Sequence, residues 1–216
     1  MKAAIILCNG EPVRKKIFEK ILKRFNADLI CADGGANSAY KMKLLPKVII
    51  GDLDSIKQEV AQYYRRKKVK IVGIKRQNDT DLEKALKFCK KQKYEMIFIM
   101  GFSGRRFDHT LSNISNALKF AKDFQIRLIE NFSTLYLLHG KNTFRSFAGE
   151  IISMIAFRSQ AKITTHNLKY PLKNESLIFG ERESTSNVSF GNWFGVEVSS
   201  HFLILIRETK IFLRYG

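Results

Sequence analysis

Along the first 125 residues, short apolar runs alternate with stretches whose apolar positions recur at helical spacing. Lys2–Cys8 reads as a first strand, and Pro12 opens a helix to about Phe25 with Ile17, Ile21, Leu22 and Phe25 on one face. Leu29–Ala32 is a second buried run, followed by a short helix, and Val48–Ile50 is a third. A helix is predicted over 57–66, a strand over 69–74, and a helix to Lys91 with Thr80 as its N-cap. Met96–Met100 is a fifth strand, leading to a helix that ends near Phe124. Strand, loop and helix repeated in this way predict a parallel α/β, Rossmann-like sheet, whose ligands gather at the carboxyl ends of the strands.

From about Arg127 the pattern changes to short alternating runs separated by Gly, Asn and Ser. Strands are expected near 126–130, 134–138, 143–147, 151–157, 162–166, 177–179, 196–198, 202–207 and 211–213, which predicts an all-β sandwich. The two domains are placed at 1–130 and 131–216.

Nearly all of the loops after the predicted strands carry acids. Gly51-Asp52-Leu53-Asp54-Ser55 sets two carboxylates two residues apart at a strand end, where unpaired charge is not tolerated in a core. Such a pair suits a hard divalent cation shared with substrate phosphates, or a solvated turn in which Asp54 or Ser55 caps a helix. The company of Asp33, Asp81 and Asp108 at the same sheet edge favours the cation, because acids gathered together need positive charge. Gly101-Phe102-Ser103-Gly104, followed by Arg105-Arg106 and a helix, offers N–H and guanidinium donors to phosphate, although it is neither a Walker A loop nor a dinucleotide fingerprint.

Composition narrows the partners. The chain of 216 residues has 38 Lys and Arg against 20 Asp and Glu, a net charge of +18 that raises nucleotides or nucleic acid as ligands. Yet all eight aspartates lie at or before Asp123, as though placed. A nucleic-acid binder with structural acids is the alternative from another class, but no nucleic-acid motif is present and aromatic–basic interleaving is sparse, so no nucleic-acid partner is expected. A different metal-dependent phosphotransferase or phosphohydrolase on the same fold also remains open. No apolar run reaches the roughly 18 residues of a membrane span, and Cys8, Cys31 and Cys89 form no metal spacing. A cytoplasmic protein without a membrane partner is the expectation.

Read together, five segments resemble thiamine pyrophosphokinase: Asp33-Gly34-Gly35-Ala36-Asn37, Gly51-Asp52-Leu53-Asp54-Ser55-Ile56, Thr80-Asp81-Leu82, Gly101 to Gly104 through Arg106 and Asp108-His109, and Ser184-Thr185-Ser186-Asn187. They span nearly the whole chain. The resemblance implies a homodimer with its site at the subunit interface, and magnesium-dependent transfer of a diphosphoryl group from ATP to the hydroxyl of thiamine, releasing AMP. It implies that Asp52, Asp54, Asp81 and Asp108 hold Mg2+, with Arg106 countering triphosphate charge. Asp33, Gly34, Gly35, Asn37, Gly101, Gly104, Arg106 and His109 would form the nucleotide side. Gln77 and Asn78 would touch substrate, and Ser186, Asn187 and Trp193 would meet thiamine. Two positions depart from the pattern: Asn78 begins a segment that in the family reads Asp-x-Thr-Asp, and Arg105 replaces the second glycine of Gly-Gly-Arg.

Overall fold

The computed structural model describes residues 1–75, 78–104, 106–157 and 161–215. They form two compact units, Met1–Asn131 and Phe132–Gly216.

The first unit alternates strand and helix: β1 (Ala3–Leu7), α1 (Lys15–Phe25), β2 (Asp28–Ala32), α2 (Gly35–Lys41), β3 (Val48–Gly51), α3 (Gln58–Arg66), β4 (Lys70–Gly73), α4 (Asp81–Lys91), β5 (Met96–Met100), α5 (Phe107–Phe120) and β6 (Gln125–Ile129). All pairings are parallel, in the order β6-β5-β1-β2-β3-β4. The central strands β1 and β5 are buried along their whole length. This is why they read as continuous apolar runs: a parallel sheet carries helices on both faces. Strand order reverses between β1 and β5, because the chain leaves β4 at one edge and returns through α4 to the far side of β1. That reversal opens a crevice above the carboxyl ends of the strands.

Helix limits follow local chemistry. α1 starts at Lys15 and not at Pro12, since Arg14 is still extended (φ −56°, ψ 135°). Its buried stripe is Ile17, Phe18 and Ile21, with Leu22 and Phe25 half-covered. α4 begins as predicted, with the Thr80 hydroxyl accepting from the Glu83 N–H at 3.2 Å.

The second unit contains β7 (Ser133–Arg145), β8 (Ile151–Ile155), β9 (Ile163–His166), β10 (Ser184–Val188), β11 (Trp193–Glu208) and α6 (Thr209–Tyr215). β7 and β11 form one long antiparallel pair whose register breaks between Val198 and Leu203. His201 (φ 59°) lies in that break, and Gly140 (φ 67°), the partner of Val198, borders it in β7. One arm of β11 then pairs β9 and the other pairs β8, which pairs β10 in turn, giving the antiparallel sandwich. Four short strands expected from the sequence are therefore two long bent ones. Two further expectations are corrected. Leu177–Phe179 contributes only an isolated bridge, Ile178 to Arg182. Ile211–Leu213 lies in α6, where Ile211 and Phe212 are buried; a three-residue apolar run fits either element. Arg207 and Glu150 form a buried pair at 2.6 and 2.8 Å. The guanidinium lies 5.3 Å from the ring centre of Phe144 and 5.1 Å from that of Phe194.

Candidate active site

A crevice of about 630 Å³ lies at the carboxyl edge of the first unit's sheet. Its walls come from Ala32 at the end of β2, from the segments after β1 (Cys8 to Glu11), β3 (Asp52), β4 (Asp79 to Leu82, and Lys84) and β5 (Gly101 to Gly104), and from Arg106, His109, Ser112 and Asn113. The Asn9-Gly10-Glu11 wall was not anticipated from the sequence. Its signal was a glycine immediately past the first strand. Gly10 N donates to Gly101 O at 2.8 Å and Glu11 N to Ser103 O at 2.7 Å, so the first and fifth loops run joined. A Cβ on Gly10 would lie 2.0 Å from Ser103 O, so no other residue allows this approach.

Gly34, Gly35 and Asn37, expected on the nucleotide side, do not line the crevice. Gly35 packs the start of α2 against β1, where a Cβ would stand 2.0 Å from Leu7 O. The Asn37 amide donates to Ser55 O at 2.9 Å and accepts from Lys57 N at 3.0 Å, fixing the loop after β3. The second helix therefore serves the acidic loop from behind.

Asp33, Asp52 and Asp81 each place an oxygen within 4.8 Å of the other two. Asp33, at φ 39°, is 1% exposed. Its Oδ2 accepts from Ser55 N at 2.9 Å, and its Oδ1 has no partner among the described residues. Burial pushes the Asp33 carboxyl above the usual carboxylate range, against the Ser55 bond and with added repulsion from Asp81. Lys84, 3% exposed, donates to Asp81 Oδ1 at 2.9 Å and Asp52 Oδ2 at 3.1 Å. Burial alone would lower the Lys84 pKa, but the bonds to Asp81 and Asp52 outweigh it and raise it. For Asp52 the same contact, with a backbone bond from Asp54, overcomes desolvation and lowers the pKa. Oxygen donors held together, one of them buried and unpartnered, match the donor set of a hard divalent cation.

The membership of this cluster differs from the expected ligand set at three residues. Asp33, expected on the nucleotide side, belongs to it, while Asp54 and Asp108 do not. The Asp54 carboxylate accepts from the Ser55 hydroxyl at 2.9 Å, and its N–H approaches Asp52 Oδ1 at 3.4 Å. Asp108 sits in the first turn of α5 with its side chain 60% exposed and accepts from Arg106 at 2.9, 3.2 and 2.5 Å. The Arg106 bond holds the Asp108 carboxyl well below the usual range. Arg106 and His109 both face the crevice.

Asn78 is exposed and outside the crevice walls, but the neighbouring Asp79 lines them and pairs with Lys87 at 2.7 Å. Gln77 lies outside the described residues. Helix α5 ties two walls together: Asn113 donates to Phe102 O at 2.7 Å, and Asn116 donates to Thr80 Oγ1 at 2.9 Å. Ser103 donates to Glu130 behind the glycine loop.

In the second unit, Ser184-Thr185-Ser186-Asn187 lies in strand β10, a segment not among the strands expected from the sequence. A register shift between Ser184 and Asn187 bulges the strand, with Ser186 exposed at φ 55°. Asn187 is 1% exposed, and its amide is occupied. It donates to Tyr170 O at 2.7 Å and Ser184 Oγ at 3.3 Å, and accepts from Tyr170 N at 3.1 Å and Val188 N at 2.9 Å. Trp193, at the start of β11, is 43% exposed.

Two family models match the chain. One, described as thiamin pyrophosphokinase, catalytic domain, covers residues 18–129; the other, described as thiamin pyrophosphokinase, vitamin B1 binding domain, covers 141–204. Thiamine pyrophosphokinase 1 of Oryza sativa subsp. japonica is 32% identical over an alignment of 187 positions, and the match covers 74% of this chain and 70% of that protein. Thiamine pyrophosphokinase 1 of Arabidopsis thaliana is 30% identical over an alignment of 212 positions, and the match covers 84% of this chain and 79% of that protein. The crystal structure of thiamine pyrophosphokinase from Bacillus subtilis shares the fold, with a TM-score of 0.82 and 24% identity, covering 96% of this chain and 99% of that one.

Proposed function

The chain belongs to the thiamin pyrophosphokinase family and is an enzyme forming thiamine diphosphate from thiamine, and we propose that it does so by moving a diphosphoryl group from ATP to the thiamine hydroxyl with magnesium, leaving AMP. The observation that carries the magnesium part of this reading is the oxygen cluster of Asp33, Asp52 and Asp81 at the strand edge. Those three carboxylates would hold the ion. Bound there, magnesium supplies positive charge for phosphate oxygens.

The other residues position and neutralise. Phosphoryl-type transfer depends on alignment and charge stabilisation more than on covalent help from the protein. Arg106, at the head of α5, presents guanidinium donors to the triphosphate, and Asp108 aims it. Gly101 to Gly104 form a narrow wall through which the triphosphate approaches backbone, with Gly101 at φ 64°. Asp54 orders the Asp52 loop from its exposed side. The thiamine ring is assigned to the second unit, with Ser186 exposed for contact, Trp193 as an apolar wall, and Asn187 holding the bulge from beneath. A homodimer in the cytoplasm completes the proposal; large exposed side chains on the second unit (Phe147, Ile151, Phe190, Trp193) supply apolar area for such an interface.

Incubating the purified protein with ATP, thiamine and magnesium, and resolving products chromatographically, tests the reaction. Equal amounts of AMP and thiamine diphosphate are expected. Thiamine monophosphate with ADP would overturn the diphosphoryl step.

A further inference from the structure

Lys84 occupies a position that two separate effects oppose. It is a cation in the first turn of α4, where the helix dipole favours anions, and it is 3% exposed, where an ammonium loses its hydration. Among the described residues, the Asp52 and Asp81 carboxylates pair with it and offset both effects. Those acids arrive from different parts of the chain, the loop after β3 and the start of α4, and like charge would drive them apart. One ammonium beside three carboxylates leaves two negative charges in the cluster, together with the unpartnered Asp33 Oδ1. That residue of charge is the charge of one divalent ion.

We infer that Lys84 is a resident counter-cation, a positioning residue that keeps Asp52 and Asp81 together while the metal is absent and weakens the cluster's hold on the metal when it arrives. The inference rests on the proposed magnesium site. It explains why an acidic cluster persists around a lysine that would otherwise compete for its oxygens. The enzyme thereby keeps a folded crevice between turnovers and an ion that leaves readily with product.

The test uses the full-length protein without ATP. Thermal melts and magnesium calorimetry are run on wild type, Lys84→Met, and Lys84→Met combined with Asp52→Asn. In EDTA the wild type is expected to melt close to its magnesium value. Lys84→Met should melt lower by about 5 °C or more, recovering in magnesium. Its magnesium affinity should rise about tenfold or more, because a neighbouring positive charge has gone. Adding Asp52→Asn should restore much of the EDTA melting temperature by removing the repulsion. If Lys84→Met matches wild type in EDTA, or melts low in both buffers with neither magnesium nor Asp52→Asn restoring it, Lys84 is ordinary structure and the inference fails. If magnesium binds Lys84→Met more weakly than wild type, the inference also fails while the metal site stands. Absence of any magnesium heat from wild type would defeat the metal reading itself and this inference with it.

Discussion

Asp33 and Asp108 show how position, more than residue type, decides what a carboxylate does. Asp33 is sealed, held by the Ser55 N–H, with one oxygen unpartnered among the described residues. Asp108 is open to solvent and engaged by an arginine two residues away. Asp81→Asn should therefore remove magnesium binding and lower kcat/KM by about a hundredfold or more. Asp108→Asn should leave magnesium affinity near wild type and slow turnover through a less well aimed Arg106. Calorimetry beside steady-state rates separates the two, and loss of magnesium binding in Asp108→Asn would place it back among the ligands. The sequence brought Asp33, Asp52, Asp81 and Asp108 to one sheet edge, because loops after parallel strands share that edge. It did not show which of them touch. Contact depends on side-chain direction and on Lys84, whose spacing from Asp81 matches any surface i, i+3 pair.

At the scale of elements, strands buried on both faces were legible as unbroken apolar runs, and Thr80 announced α4 through its capping chemistry. The sandwich was legible as a class but not strand by strand. A register break such as that between Val198 and Leu203 looks, in sequence, like the turn between two strands. β10 was hidden for a related reason: Ser-Thr-Ser-Asn has turn composition, and its strand character comes from pairing with β8. The bulge divides neighbouring side chains between solvent and core, which sets different expectations for them. Asn187→Ala should destabilise the protein by about 1–3 kcal/mol, because Tyr170 N–H and C=O lose their shared partner. Ser186→Ala should leave stability within about 0.5 kcal/mol and raise the KM for thiamine more than that for ATP. Denaturant unfolding and substrate titrations on the same preparations check both. A Ser186→Ala enzyme with unchanged thiamine KM would remove Ser186 from the pocket.

For the whole molecule, the chain keeps its aspartates and the serine proposed to meet thiamine in different units, with every aspartate in the first and Ser186 in the second. A homodimer in which each thiamine pocket is completed by the partner copy would use this division. It makes a specific expectation for mixed subunits. Asp81→Asn disables the acidic cluster and leaves β10 intact, whereas Ser186→Phe blocks the thiamine side and leaves the cluster intact. Each variant alone should be nearly inactive. Unfolded and refolded together at equal concentration, half of the dimers should be mixed, and each mixed dimer should hold one site built from two intact halves. Activity should then return to about one quarter of wild type. Light scattering must show dimers in all three samples for the comparison to hold. If the mixture stays as inactive as its parents while the dimers exchange subunits, each active site is built within one chain, and the shared-site arrangement is wrong.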